Sequence, residues 1–139
     1  MSMRRQLVAL VWLGSVAASA TATAAKPVCD DSKNNAEDKQ CMAAEVEKAH
    51  EKLADYLAVA KERIATQKIQ GVDLDTAQAD WLRYRTAHCR DVYQYWIEGT
   101  HRHRAGAQCV LELTQTRTRD IWSAYLTFAD STPPLRPEP

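Results

Sequence analysis

Apolar residues recur at steps of three and four along most of this chain, and no stretch alternates at period two over the length of a strand. The first stripe is Met42, Val46, Ala49, Leu53, Tyr56, Ala60 and Ile64. At about 3.6 residues per turn these positions stack on one helix face. Glu45, Glu47, Lys48, Glu51 and Lys52 fill the other faces, so the pattern predicts a helix from about Asp38 to Gln67 behind a polar, loop-like stretch over 26–37. Gly71 breaks it. Asp73 is a suitable N-cap for a second helix, because its carboxylate can accept the unpaired amides of the first turn. That helix carries Leu74, Ala77, Trp81, Tyr84, Cys89, Val92 and Trp96 and is expected to run to about Glu98, with Gly99 as a left-handed C-cap. A third helix starts near Ala107 and bears Val110, Leu113, Ile121, Tyr125 and Phe128. Long amphipathic helices with short connections predict an all-α fold, a small antiparallel bundle of three long helices. Residues 131–139 contain four prolines and read as a disordered tail, although Pro134-Leu135-Arg136-Pro137 has the spacing of a P-x-x-P ligand.

The first 24 residues do not belong to this fold. Arg4 and Arg5 precede an apolar run from Leu7 to Ala18, and small residues follow from Ser19 to Ala25. That order describes a secretory signal peptide cleaved after Ala24. A membrane-spanning helix would need about 20 apolar residues, which this run does not reach. No cysteine stands directly behind the small residues, and Cys29 follows Lys26-Pro27-Val28. The product is therefore expected to be a periplasmic or secreted bacterial protein without a lipid anchor, its helical domain spanning 25–130.

Composition narrows the function. The chain has 18 basic and 18 acidic residues, and cleavage would remove only Arg4 and Arg5, so the mature charge is −2. Nucleic-acid binding calls for a basic excess that is missing here, and nothing points to a membrane surface after cleavage. Four cysteines, Cys29, Cys41, Cys89 and Cys109, form an even set in an exported chain and read as two disulfides. Of the connectivities open to them, Cys29–Cys41 with Cys89–Cys109 is favoured, because each bridge joins chain neighbours and ties a loop to a helix. In the chain-entropy model each contributes roughly 3 kcal/mol. A zinc site would normally bring ligands in Cys-x-x-Cys pairs, and the chain has none.

The most specific string is Leu74-x-x-x-Gln78-x-x-Trp81-x-x-x-Arg85-x-x-x-Cys89, followed by Gly99-Thr100 and by Cys109-x-x-x-x-Thr114-x-x-Arg117. Together with Cys41, Ala49 and Leu53, it resembles the LprI-type lysozyme inhibitor N-terminal domain over roughly residues 29–126. The resemblance implies an exported helical domain and a lysozyme or related peptidoglycan-cleaving enzyme as partner. The chain departs from the pattern at His50, where such domains carry an aspartate, at Ala54, where they carry an asparagine, and at Glu98-Gly99-Thr100 in place of Gly-Gly-Ser. If that aspartate normally pairs with the motif's arginine, Arg85 must find another partner here.

Two groups of residues are candidates for chemistry. Gln78, Trp81, Arg85 and Cys89 lie three or four positions apart and share a helix face. They read as a polar clamp in which Trp81 stacks on Arg85, with a ligand-facing Arg85 as the alternative; Thr114 and Arg117 belong to the same structural motif, and Asp120 is available to pair Arg117. Thr100, His101, Arg102, His103 and Arg104 read either as a solvated basic turn or as a basic binding loop closed by Cys89–Cys109. Such a pre-organised loop could enter a carboxylate-lined cleft, such as a lysozyme active site. His101 and His103 alone do not make a metal site, and no cofactor is implied. No Gly-x-Ser-x-Gly, zinc-protease helix or phosphate loop is present, so the chain is not expected to be an enzyme. The leading expectation is inhibition of a c-type lysozyme or related enzyme. The alternative is a non-catalytic module for cell-envelope interaction or assembly.

Overall fold

The computed structural model describes residues 28–139. The segment read as a signal peptide lies outside them. The described chain forms α1 (Asn35–Thr66), α2 (Leu74–Tyr95) and α3 (His101–Ile121), with a π-helical turn at Trp122–Leu126 and no strand. The bridges are Cys29–Cys41 and Cys89–Cys109, as the favoured pairing has it.

α1 begins three residues earlier than periodicity alone indicates, because polar residues start it. Asn34 Oδ1 accepts from the amides of Ala36 and Glu37, each at 3.0 Å. Glu37 reaches back to accept from the Lys33 amide at 2.9 Å. This reciprocal exchange satisfies donors that a bare helix start leaves orphaned. The other end closes before Gly71. Lys68 takes the left-handed conformation (φ 52°), with Lys68 N bonded to Ala65 O and Ile69 N to Ile64 O. Those two bonds define a Schellman stop, made here with lysine where glycine is usual. Asp73 caps α2 as expected, accepting from the Thr76 amide at 3.0 Å and the Thr76 hydroxyl at 2.7 Å.

α3 is the central helix and packs against both others, whereas α1 and α2 touch each other far less. Side-chain pairings set the directions. Asp38 meets Arg104 near the start of α1 and α3, while Cys89 meets Cys109 and Gln78 meets Arg117. Hence α1 and α3 run parallel, and α2 runs against both. One cluster joins Leu53, Tyr56, Ala60, Leu74, Ile121 and Leu126; a second joins Met42, Ala49 and Leu111. Between them α3 buries Thr114 and Thr118 completely. Each returns its hydroxyl to the carbonyl four residues back, at 2.6 and 2.9 Å, which satisfies it without a partner helix.

Three expectations are corrected. α2 ends at Tyr95 rather than near Glu98, and Gly99 is not left-handed. α3 starts at His101, so the segment read as a loop forms its first turn. At this corner α2 passes close to α3: a Cβ on Gly106 would stand 3.3 Å from the Tyr93 ring. Finally, the proline-rich end is docked rather than frayed. Leu135 N bonds Leu126 O at 2.9 Å, Trp122 Nε1 donates to Arg136 O at 2.9 Å, and the Tyr56 hydroxyl donates to Pro137 O at 2.7 Å. Arg136 forks onto Asp55 at 2.8 and 3.0 Å, which holds the Asp55 carboxyl below its usual range. Prolines lack amide donors, and here the tail's carbonyls serve as acceptors for core aromatic side chains.

Candidate functional site

The clamp forms where α1 and α2 face each other over α3. Arg85 Nη1 donates to Thr114 Oγ1 at 2.9 Å and bonds His50 Nε2 at 2.8 Å. Since the guanidinium can only donate, His50 Nε2 is the acceptor and the ring is neutral. Burial, then the Arg85 charge, pushes His50 below its ordinary pKa, while Glu47 opposes the shift. Burial also lowers Arg85. Trp81 lies 5.0 Å from the Arg85 guanidinium carbon, so the expected stacking is present. Gln78 Oε1 accepts from Arg117 Nε at 3.1 Å, and Arg117 also faces Trp81 at 5.9 Å. Arg117 is thus paired through α2 and not through Asp120. His50, one of the positions at which the sequence departs from the resembled pattern, is the partner that Arg85 takes. Cys89 is buried one turn beyond and bridges to Cys109.

The second region is the corner between α2 and α3. Thr100 is the N-cap of α3 but makes no side-chain cap bond. His101 is exposed and meets the edge of Trp96 at 4.8 Å between centroids. His103 turns inward to the edge of Tyr93 at 5.6 Å, and burial, Lys39 and Arg102 lower its pKa. Residues two apart on a helix point to different sides, so these histidines diverge. Among the described residues no group of three or more His, Cys, Asp or Glu side chains is placed to hold a metal ion.

The two arginines of this turn face inward as well. Arg104 pairs with Asp38 and donates through Nη2 to Val28 O at 2.7 Å, which ties the start of α3 to the start of α1. Arg102 Nη1 donates to Ile97 O at 2.7 Å, and its buried Nε has no partner. Both shape the corner. The exposed surface comes instead from residues that the sequence reading passed over. Tyr95 is 81% exposed, Trp96 46% and Ile97 40%, although Trp96 belongs to the predicted apolar stripe. The signal was present in the crowding of apolar Tyr95-Trp96-Ile97 against Gly99, where a helix ends and a stripe has nothing left to pack on.

The arrangement can bind but shows no catalytic constellation. All four cysteines are in disulfides, which removes thiol chemistry, and no helix among the described residues is long and apolar enough to cross a membrane. No curated protein and no solved structure matches the chain. A family model does, that of the lysozyme inhibitor LprI, over residues 29–121, a span that holds both bridges, the clamp and the corner. The chain belongs to the LprI lysozyme inhibitor family.

Proposed function

We propose that the mature chain is an exported, non-catalytic protein that binds and inhibits a lysozyme or a related peptidoglycan-cleaving enzyme through its α2–α3 corner. The observation that carries this reading is the outward display of Tyr95, Trp96, Thr100 and His101 on a turn closed by Cys89–Cys109, in a member of a family described as lysozyme inhibitors. Exposed aromatic residues on a rigid support are typical binding anchors, since they offer contact area at little cost in side-chain entropy. His101 adds donors that suit a cleft lined by carboxylates. Arg102 and Arg104 act from behind, by holding the turn. Export rests on the basic, apolar and small-residue order of residues 1–24, with cleavage after Ala24 and a periplasmic or secreted destination.

The experiment is a titration of oxidised residues 25–139 into a c-type lysozyme assay. Saturable, stoichiometric inhibition that Trp96→Ala weakens is the expected result. Absence of inhibition at micromolar excess would sink the reading. A cell-envelope interaction or assembly module would then lead, for which the exposed Tyr84 on α2 offers a contact outside the corner.

A further inference from the structure

Arg85 brings a positive charge to the floor of the groove between α1 and α2, and no carboxylate among the described residues is bonded to it. Both of its protein bonds leave from Nη1. Nε and Nη2 have no protein acceptor among those residues, and neither is sealed from solvent. A partly buried charge without a counter-charge is unfavourable, and here the neighbours do nothing to neutralise it. His50 and Thr114 are neutral acceptors, and Trp81 covers one side of the guanidinium with its ring. Gln78, also in the groove wall, gives its oxygen to Arg117, and its amide hydrogens have no partner among the described residues. The remaining walls are apolar: Leu53, Ala54 and Leu57 from α1, and Leu82 from α2.

From this geometry we infer that the groove recognises a carboxylate, specifically one acidic side chain of a partner protein. Nε and Nη2 form the edge of a guanidinium that pairs with both oxygens of a carboxylate at once, a fit that a lysine could not supply. The apolar walls match the methylene stem of a glutamate. The volume is about 280 Å³, room enough for a single side chain. A phosphate would find one guanidinium where it normally gathers several donors. Leu82, 40% exposed beside the groove, supplies apolar contact for the residues flanking the acid. This site lies on the side chains of the clamp, apart from the corner, and does not depend on lysozyme inhibition.

The test is nitrogen–proton NMR of the oxidised mature protein, following the Arg85 Nε–H signal during titration with acetyl-Leu-Glu-Leu-amide. A saturable shift is expected, with the Gln version of the peptide binding roughly tenfold or more weakly. Arg85→Lys, followed through the backbone amide signals of the groove residues, should bind the Glu peptide at least roughly tenfold more weakly. Because that change also disturbs the clamp, a second variant leaves Arg85 in place: Ala54→Glu, at an exposed position in the groove wall, supplies an internal carboxylate and should abolish peptide binding while the thermal midpoint holds or rises. Equal responses to the Glu and Gln peptides, full binding by Ala54→Glu, or no saturable shift in the wild-type protein would each overturn the proposal. So would a response to inorganic phosphate alone.

Discussion

The clamp around Arg85 and the corner around Trp96 stand at opposite ends of the logic of this molecule. Each is built from aromatic and cationic residues on α2 and α3, and both are linked by one disulfide. In the clamp, Gln78, Trp81, Arg85, Thr114 and Arg117 engage one another across helices, and Arg85 Nη1, Thr114 Oγ1, Gln78 Oε1 and Arg117 Nε are spent on the scaffold. In the corner, the arginines are spent in the same way, but Tyr95, Trp96 and His101 are left facing outward. A recognisable motif therefore marks what holds the helices in register, while the exposed aromatic surface of the corner comes from residues outside it. Charge was a poor guide to exposure, because a guanidinium at a helix start readily turns back to cap a carbonyl.

The comparison can be broken in several ways. The largest effect should come from Cys89→Ser with Cys109→Ser, which opens a closure of 20 residues and should cost about 3 kcal/mol in chemical denaturation. Both regions should loosen together; a change under about 1 kcal/mol would mean that packing alone holds α2 on α3. Next in size, Thr114→Val removes the buried acceptor of Arg85 at nearly constant volume and should destabilise by about 1–3 kcal/mol. A neutral result would show that Arg85 is not anchored by α3.

At the corner the order reverses. Tyr95→Ala with Trp96→Ala should change stability by less than about 0.5 kcal/mol yet weaken lysozyme inhibition clearly. Loss of inhibition accompanied by an equal loss of stability would make the corner a part of the scaffold like the clamp. The smallest effect concerns acid. His50 is held below its ordinary 6.5 by burial and then by Arg85, so the unfolded chain takes up a proton before the folded one does. The resulting stability is fully present above pH 6.5 and falls as the pH drops through the folded value. Glu47 faces the same ring and tempers the shift, and His103 adds a slope of the same sign. His50→Gln should flatten part of the acid side of a stability-against-pH curve, and an unchanged slope would remove His50 from the account.

Legibility followed the reach of each interaction. The Asp73 cap was readable because its partner is three residues away. The Asn34 start uses the same chemistry, yet the apolar stripe drew attention to Asp38, and the cap was hidden in what looked like a polar loop. Lys68 could not be read as a stop, since nothing in its side chain favours a left-handed backbone. The start of α3 was missed because Thr100 to Gly106 has no apolar periodicity. Its helicity goes with contacts to Asp38 and Val28, 66 and 76 positions from Arg104. The tail was misread for the same reason, as its anchors Tyr56 and Asp55 lie 81 positions away.

Sequence alone determined the helical class, the favoured pairing of the cysteines, the shared face of Gln78, Trp81, Arg85 and Cys89, and the stacking of Trp81 on Arg85. Periodicity, chain proximity and local spacing are properties of neighbouring residues, so they survive without a fold. Tertiary structure decided that α3 is central, that His50 answers Arg85, that the tail is docked and that Arg104 turns inward while Trp96 stays exposed. Each of these depends on which groups from distant parts of the chain come within about 3–6 Å of one another, and that is set only when the three helices close on their shared core.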